Sequence, residues 1–237
     1  GSIAVVGREP KVLDYQIADN AVYSDGKPIT CDDMVLAWAA QSGRFPGFDA
    51  ASRAGYIDIT AVDCQPGQKK ARVSFAVGRP FTDFNQLFTA TSMLPSHVID
   101  DELGLGEGGV TTALQGNDLD KVGQIAQVWN TGWDLKPGID TKRFPSSGPY
   151  KIDSVGDNGA VQLVANDRWW GTRPATNRIT VWPRGIDVQD RINDGTFDVV
   201  DVATGSSGTL TAPDNYARVD SRSGGIEQLI FAPQGPL

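Results

Sequence analysis

The chain of 237 residues contains one histidine, two cysteines and two methionines. One histidine and two cysteines are too few for a zinc site without further ligands. His97 has no companion nearby in the sequence that would make it part of a catalytic triad, and a structural or surface role is expected for it. No apolar run approaches the roughly 18–20 residues that cross a bilayer. There is no run of basic residues, and 21 Lys and Arg stand against 29 Asp and Glu, a formal charge of −8. Such an acidic surface repels phosphate backbones, so no nucleic-acid partner is expected. The first residues show no basic segment followed by an apolar core, so no signal peptide is expected within them. Gly1-Ser2 read as a vector-derived scar, with any processing upstream. Internal repeats and low-complexity tracts are lacking too, and nothing calls for a cofactor or a metal.

What is present is an ordinary globular composition, 40% apolar and 8% aromatic. Val12, Tyr15 and Ile17 sit among alternating residues and predict a strand. Ser24-Asp25-Gly26-Lys27-Pro28 is a turn. Thr30 is an N-cap with Asp33 three positions on, close to a capping box. Met34, Val35, Trp38 and Ala39 then recur at helical spacing, and Gly43 is placed to end the helix. Two hairpins are expected. In 56–77 a strand from Tyr56 to Val62 turns at Cys64–Gln68 into the alternation Ala71, Val73, Phe75, Val77. In 149–165 Tyr150, Ile152 and Val155 turn at Asp157-Asn158-Gly159 to Val161 and Val164. Short helices are predicted over Asp83–Phe88 and Asp187–Asp194, a longer one over Asp118–Trp129, and strands over Arg178–Trp182, Phe197–Val202 and Ile226–Phe231. Residues 204–213 read as a polar loop. An internal boundary is placed between about Trp133 and Gly148, where Pro137-Gly138 and Pro145–Gly148 flank a connecting segment.

Few residues suggest chemistry. The carboxylate pairs Asp32-Asp33 and Asp100-Asp101 each adjoin a helix end, where capping accounts for them. GLGEGGV at 104–110 lacks the Gly-Lys-Ser/Thr of a phosphate loop and has no strand before it, so it reads as a flexible surface loop. Cys31 and Cys64 are either two buried thiols or a disulfide, the latter requiring an oxidising compartment. Trp38 falls on the apolar helix face and is assigned to the core. Trp169 and Trp170 are adjacent, so in an extended turn they point different ways, and one of them can meet a cleft; the other reading packs both against the following strand. No catalytic constellation emerges, and an enzyme is not expected.

Two stretches carry a resemblance. YSDGKPITCDDMVLAW (23–38) and GPYKIDSVGDNGAVQLVANDRWWGTRPATNRITVW (148–182) together resemble the peptide-type solute-binding proteins of bacterial ABC importers. Ile192–Val200 resembles that family's Gly-x-Ile-Asp step into a strand. The departures are Tyr23, where Trp is commoner, and a second Trp before Trp170. The resemblance covers about Lys11 to Phe231 and implies an α/β fold with mixed sheets, one lobe of a periplasmic-binding-protein-like clamp. Residues 1–135 would be the inserted subdomain of the first lobe and 140–237 its ligand-facing sheet subdomain. The family's first strands would lie upstream, and its second lobe after Leu237. Cys31 and Cys64 resemble the actinobacterial branch, including mycobacterial lipoproteins tied to phosphatidylinositol-mannoside metabolism, and the resemblance implies that they are bonded.

By position in the family, ligand-facing residues would be Trp170, Gly171, Asp201, Val202, Ala203 and Thr204. The implied function is extracytoplasmic capture of a solute, peptide foremost, with hand-over to an ABC permease. The implied setting is a periplasmic or cell-surface lipoprotein whose lipid anchor is not in this chain. The rival readings are an envelope regulatory or lipoglycan-pathway protein on the same fold, and a secreted hydrolase.

Overall fold

The computed structural model of the chain describes residues 1–200, 210–217 and 219. It divides into two compact units, Gly1–Pro183 and Arg184–Leu237.

The first unit is an α/β structure with two sheets. Its elements run β1 (Ser2–Arg8), β2 (Lys11–Gln16), α1 (Cys31–Ser42), β3 (Ile59–Asp63), β4 (Lys70–Phe75), α2 (Ser96–Leu103), α3 (Gly109–Gln115), α4 (Leu119–Thr131), β5 (Tyr150–Val155), β6 (Val161–Ala165) and β7 (Arg178–Val181). The first sheet has the order β1-β2-β4-β3 and the second the order β5-β6-β7. Every described strand pair is antiparallel. Both expected hairpins are present: Val62 opposes Val73 in one, and Tyr150 opposes Ala165 in the other.

One face of the first sheet is the core face. Leu13, Val73, Phe75 and Ile59 are at most 1% exposed, and α1 to α4 lie over them with Met34, Val35, Ile99, Val110, Val122 and Ile125. Side chains of this size contribute about 1.5–3 kcal/mol each when fully buried. The start of α1 matches its sequence signals. Thr30 caps the helix, its side chain accepting from the amide of Asp32, and Asp33 closes the capping box by accepting from the amide of Thr30 at 3.0 Å. Gly43 ends the helix at φ 73°, a left-handed conformation that costs glycine nothing. The helix is not a half-buried surface helix: ten of its residues are buried, including Asp32, Asp33 and Ser42. It lies between sheet and helices, so polarity on its solvent side was never required.

The structure corrects several local expectations. Tyr56–Asp58 forms a 3-10 turn before β3. The Tyr56 hydroxyl reaches Ser92 Oγ at 2.9 Å and accepts from the Phe88 amide at 2.7 Å, which draws the residue into the core and out of the strand. The helix expected over Asp83–Phe88 shrinks to a 3-10 turn at Phe84–Gln86. GLGEGGV is not a flexible loop. The buried carboxylate of Asp100 accepts from the amides of Gly108 (3.1 Å) and Val110 (2.7 Å), so it pins the start of α3 from a neighbouring helix. α3 itself, and β1, were not anticipated.

The second unit holds α5 (Val188–Asn193), capped by the Asp187 side chain, which accepts from the amide of Asp190. Gln189 bonds in both directions to the backbone of Thr211, at 2.8 and 2.9 Å. Phe197–Val200 do not form the expected strand, and no described strand pairs with them. Of the rest of that strand, Asp201 and Val202 lie outside the described residues, as do most of the 204–213 loop and the Ile226–Phe231 strand.

Candidate functional site

The two signature stretches meet in space. Ser24 in the YSDG turn donates its amide to Ser146 O, and its hydroxyl accepts from the Ser146 amide, both at 2.9 Å. The Arg168 guanidinium lies over Gly26, so close that a Cβ added there would sit 3.2 Å from it. Asp25 Oδ2 bonds His97 Nε2 at 2.8 Å, and the His97 ring packs on Tyr23 at a centroid distance of 5.3 Å. His97 is therefore structural, as expected. Asp33 is the node beneath the turn. Its Oδ1 accepts from the Ser96 amide (2.8 Å) and hydroxyl (2.9 Å), joining the N-termini of α1 and α2. Burial raises the Asp33 carboxyl above its ordinary range, and it raises the Tyr23 hydroxyl beside it well above its own.

Asn166 shapes the second stretch. It is 5% exposed, and its amide group donates to Gly148 O at 2.8 Å while its backbone amide donates to Pro149 O. Its side-chain oxygen accepts from the Arg168 amide at 3.0 Å, an Asx turn. This clamp bends the chain at 167–171, so Trp169 and Trp170 do not alternate as they would in an extended segment. Their rings lie 4.5 Å apart at 48°. Asn166 opens the turn of the resembling stretch, and its bond to Gly148 is what the sequence did not disclose.

Both tryptophans line one groove of about 680 Å3, with Ile17, Tyr23, Ile29, Leu87, Phe88 and Met93 among its other walls. Trp170 also packs against the small buried cluster of Ala21, Tyr23 and Ile29. The Trp169 indole donates to Thr172 O at 3.0 Å. Gly171 admits that ring: a Cβ there would stand 2.5 Å from Trp169 Cζ2. Phe88 is held at φ 53°, a rare conformation for an aromatic residue, with Tyr15 and Tyr56 edge-on to its ring at 5.3 Å. Of the ligand-facing residues expected from the sequence, Trp170 lines this groove, and Gly171 is not among its lining residues but packs against the Trp169 ring. Asp201, Val202, Ala203 and Thr204 lie outside the described residues. A larger recess of about 1140 Å3 runs along the first sheet and is lined by none of them. Among the described residues no group of three or more His, Cys, Asp or Glu is placed to hold a metal ion.

The cysteines are bonded, Cys31 to Cys64, with their Cα atoms 5.7 Å apart.

The family model for bacterial extracellular solute-binding proteins, family 5 (middle part), matches residues 6–237. The chain belongs to this family. An uncharacterized lipoprotein of Mycobacterium tuberculosis is 64% identical over 241 residues, covering all of this chain and 43% of its own length. The chain thus spans under half the length of that relative. The oligopeptide-binding protein OppA of the same species is 30% identical over 182 residues, covering 76% of the chain and 25% of OppA. The probable monoacyl phosphatidylinositol tetramannoside-binding protein LpqW, also of M. tuberculosis, is 27% identical over 210 residues, 87% of the chain and 27% of LpqW. Among solved structures the fold is shared with the periplasmic EDTA-binding protein EppA (TM-score 0.57, 24% identity, 76% of this chain and 28% of EppA). It is shared too with the oligopeptide-binding protein AppA of Bacillus subtilis (TM-score 0.52, 20% identity, 76% and 29%).

Proposed function

We propose that this chain is the solute-capturing part of an extracytoplasmic binding protein that serves an ABC importer, with peptide as the solute and a lipid-anchored parent. The observation that carries the reading is the Trp169–Trp170 groove, to which the two stretches that mark the family contribute Tyr23, Ile29, Trp169 and Trp170. Tryptophan offers a large contact area with little conformational entropy to lose, which suits a site that accepts varied ligands. The protein performs no chemistry in this reading. A ligand seated against the groove is captured when a second surface closes over it and removes it from water. The oligopeptide-binding relative supports peptide as the solute.

Calorimetry with a peptide library, on this chain and on the full-length protein, tests the proposal. The full-length protein is expected to bind peptides and this chain to bind them weakly, because a ligand on one wall stays solvated on its other side. Equal tight binding by both would place the whole site within these residues and end the closing-clamp reading. No peptide binding by the full-length protein would refute peptide as the solute. A second reading, an envelope lipoglycan-pathway protein on the same fold, is favoured by the similarity to LpqW. It predicts that deleting the gene alters lipoglycan composition and leaves peptide uptake intact.

A further inference from the structure

We propose that an acidic recess apart from the Trp169–Trp170 groove binds one organic cation, the ammonium or guanidinium head of a basic molecule. The recess encloses about 180 Å3 where the start of α1, the start of α2 and the residues before α3 meet. It shares no lining residue with the groove.

Asp32 lines the recess and is 4% exposed. Its Oδ2 is in use, accepting from the Gly67 amide at 2.7 Å and from the Thr30 hydroxyl at 2.8 Å. Its Oδ1 is buried and accepts from no group among the described residues. A buried carboxylate oxygen without a donor is strongly unfavourable, so a cationic N–H brought here gains more than it would at the surface. Like charges add to the demand. Asp100, also 4% exposed, and the exposed Asp101 and Glu107 line the same recess. Among the described residues none of these four carboxylates forms an ion pair. Burial pushes the Asp100 carboxyl up to about 6; Asp32 and Asp101 add to the rise, and the amides of Val110 and Gly108 oppose it. A cation in the recess relieves that repulsion. The two basic residues in the wall do not supply one: Lys27 is exposed and pairs with none of the four, and His97 is engaged by Asp25 at 2.8 Å.

The backbone around the recess argues against an anion, because its amides are taken. Asp33 holds those of Thr30 and Ser96, Asp100 those of Gly108 and Val110, and Asp32 that of Gly67. A metal ion needs several ligands at one point, and among the described residues no three acidic, His or Cys side chains converge on one. Charges spread around a recess suit a cation whose N–H donors are also spread, as in ammonium and guanidinium. The volume has room for about six water-sized groups, at about 30 Å3 each.

The head group could belong to a free solute or to a basic side chain of another protein. The test follows the backbone amide resonances of Gly67 and Gly108 in this chain at constant ionic strength, and repeats the titration by calorimetry on the full-length protein. Methylguanidinium and methylammonium stand for the free solute. N-acetyl-arginine amide and N-acetyl-lysine amide stand for the side chain, with N-acetyl-citrulline amide as the neutral match for arginine. Saturable one-to-one binding of the cations is expected in the millimolar range. Asp32→Asn keeps an oxygen for Gly67 and Thr30 while removing the charge, and should weaken binding about tenfold. Should that variant fail to fold, Asp101→Asn and Glu107→Gln, at exposed positions, should each weaken it about two- to threefold. Lys27→Gln should tighten it by a similar factor, through the loss of a like charge at the wall. Binding confined to the free cations supports the inference and names a small solute; capped residues binding at least as well support it and name a side chain. Citrulline binding as well as arginine overturns it, as does weaker binding in Lys27→Gln or the lack of any saturable shift. Calcium moving the two amides where the organic cations do not overturns it in favour of a metal. Binding by this chain but not by the full-length protein overturns it too, since the rest of the polypeptide would then cover the recess. None of these outcomes involves the Trp169–Trp170 groove, so solute capture there stands or falls on its own experiment.

Discussion

Reduction of the Cys31–Cys64 bond should weaken the first unit by an amount that its place in the chain sets. Cys31 is the first residue of α1, and Cys64 follows directly after β3, 33 positions later. The link therefore ties the central helix to the edge strand of the first sheet. Both residues are buried, at 0% and 8% exposure, and the Cys64 carbonyl is held by the Gln115 amide group at 2.8 Å. Closing a loop of this length removes about 12.5 cal/mol/K of entropy from the unfolded chain, or about 3.7 kcal/mol at 25 °C. For a unit of this size, each kcal/mol is worth about 2–4 °C of melting temperature, so a fall of about 7–15 °C is expected on reduction. Urea unfolding followed by tryptophan fluorescence, with and without dithiothreitol, measures the difference. The slope against urea should also steepen in the reduced protein, because the unlinked denatured chain exposes more surface. A change below about 1 kcal/mol would refute the entropic account. Alkylation of both thiols in the folded, unreduced protein would refute the bond itself.

Three other outcomes follow from single residues. Asp33→Ala leaves the amides of Thr30 and Ser96 without their buried acceptor, so a loss of about 2–5 kcal/mol of stability is expected, read as a lower urea midpoint, and an unchanged midpoint would show that the node carries no stability. Burial, reinforced by the charges of Asp32 and Asp101, pushes the Asp100 carboxyl up to about 6, against 3.8 for an ordinary aspartate. Between those values the folded chain holds a proton that the unfolded chain has released, so stability should fall as pH climbs from about 4 to about 6 and level off above. In Asp100→Asn this falling contribution should vanish, and a slope that persists in the variant would assign it to another group. Gly171→Ala puts a methyl group against Trp169 and should displace the indole from Thr172 O. Its tryptophan emission should shift and its affinity for a groove ligand fall about tenfold, whereas an unaltered spectrum would show that the turn adapts freely.

The elements readable in the sequence are those whose cause is local. Thr30 and Asp33 set the start of α1 because a capping box is complete within four residues. Both hairpins follow from period-two alternation around turn residues, and α4 follows from Val122, Ile125 and Ala126 on one face. Family membership was legible because the Ser-Asp-Gly-x-Pro turn and the Trp-Gly turn appear in order at the right separation. The disulfide was legible only through that resemblance, since two cysteines 33 positions apart in sequence carry no geometry of their own.

Other features depend on contacts between distant residues. β1 is mostly exposed, so no alternation of burial marks it; pairing with β2 makes it a strand. α3 is hidden in a glycine-rich stretch, and its start is pinned by Asp100, eight to ten residues upstream on another helix. Phe88 takes a backbone conformation that no local preference predicts, enforced by Tyr56 from 32 residues away. The groove draws its walls from residues between Gly1 and Trp170, and the directions of its two tryptophans come from the Asn166 clamp on Gly148. The sequence by itself determined the caps, the turns and the family, because short-range geometry and side-chain periodicity suffice for them. Which faces were buried, which donors were already used and where the apolar groove opened were decided only by tertiary structure, because burial and hydrogen-bond satisfaction belong to the packed chain and to no segment of it alone.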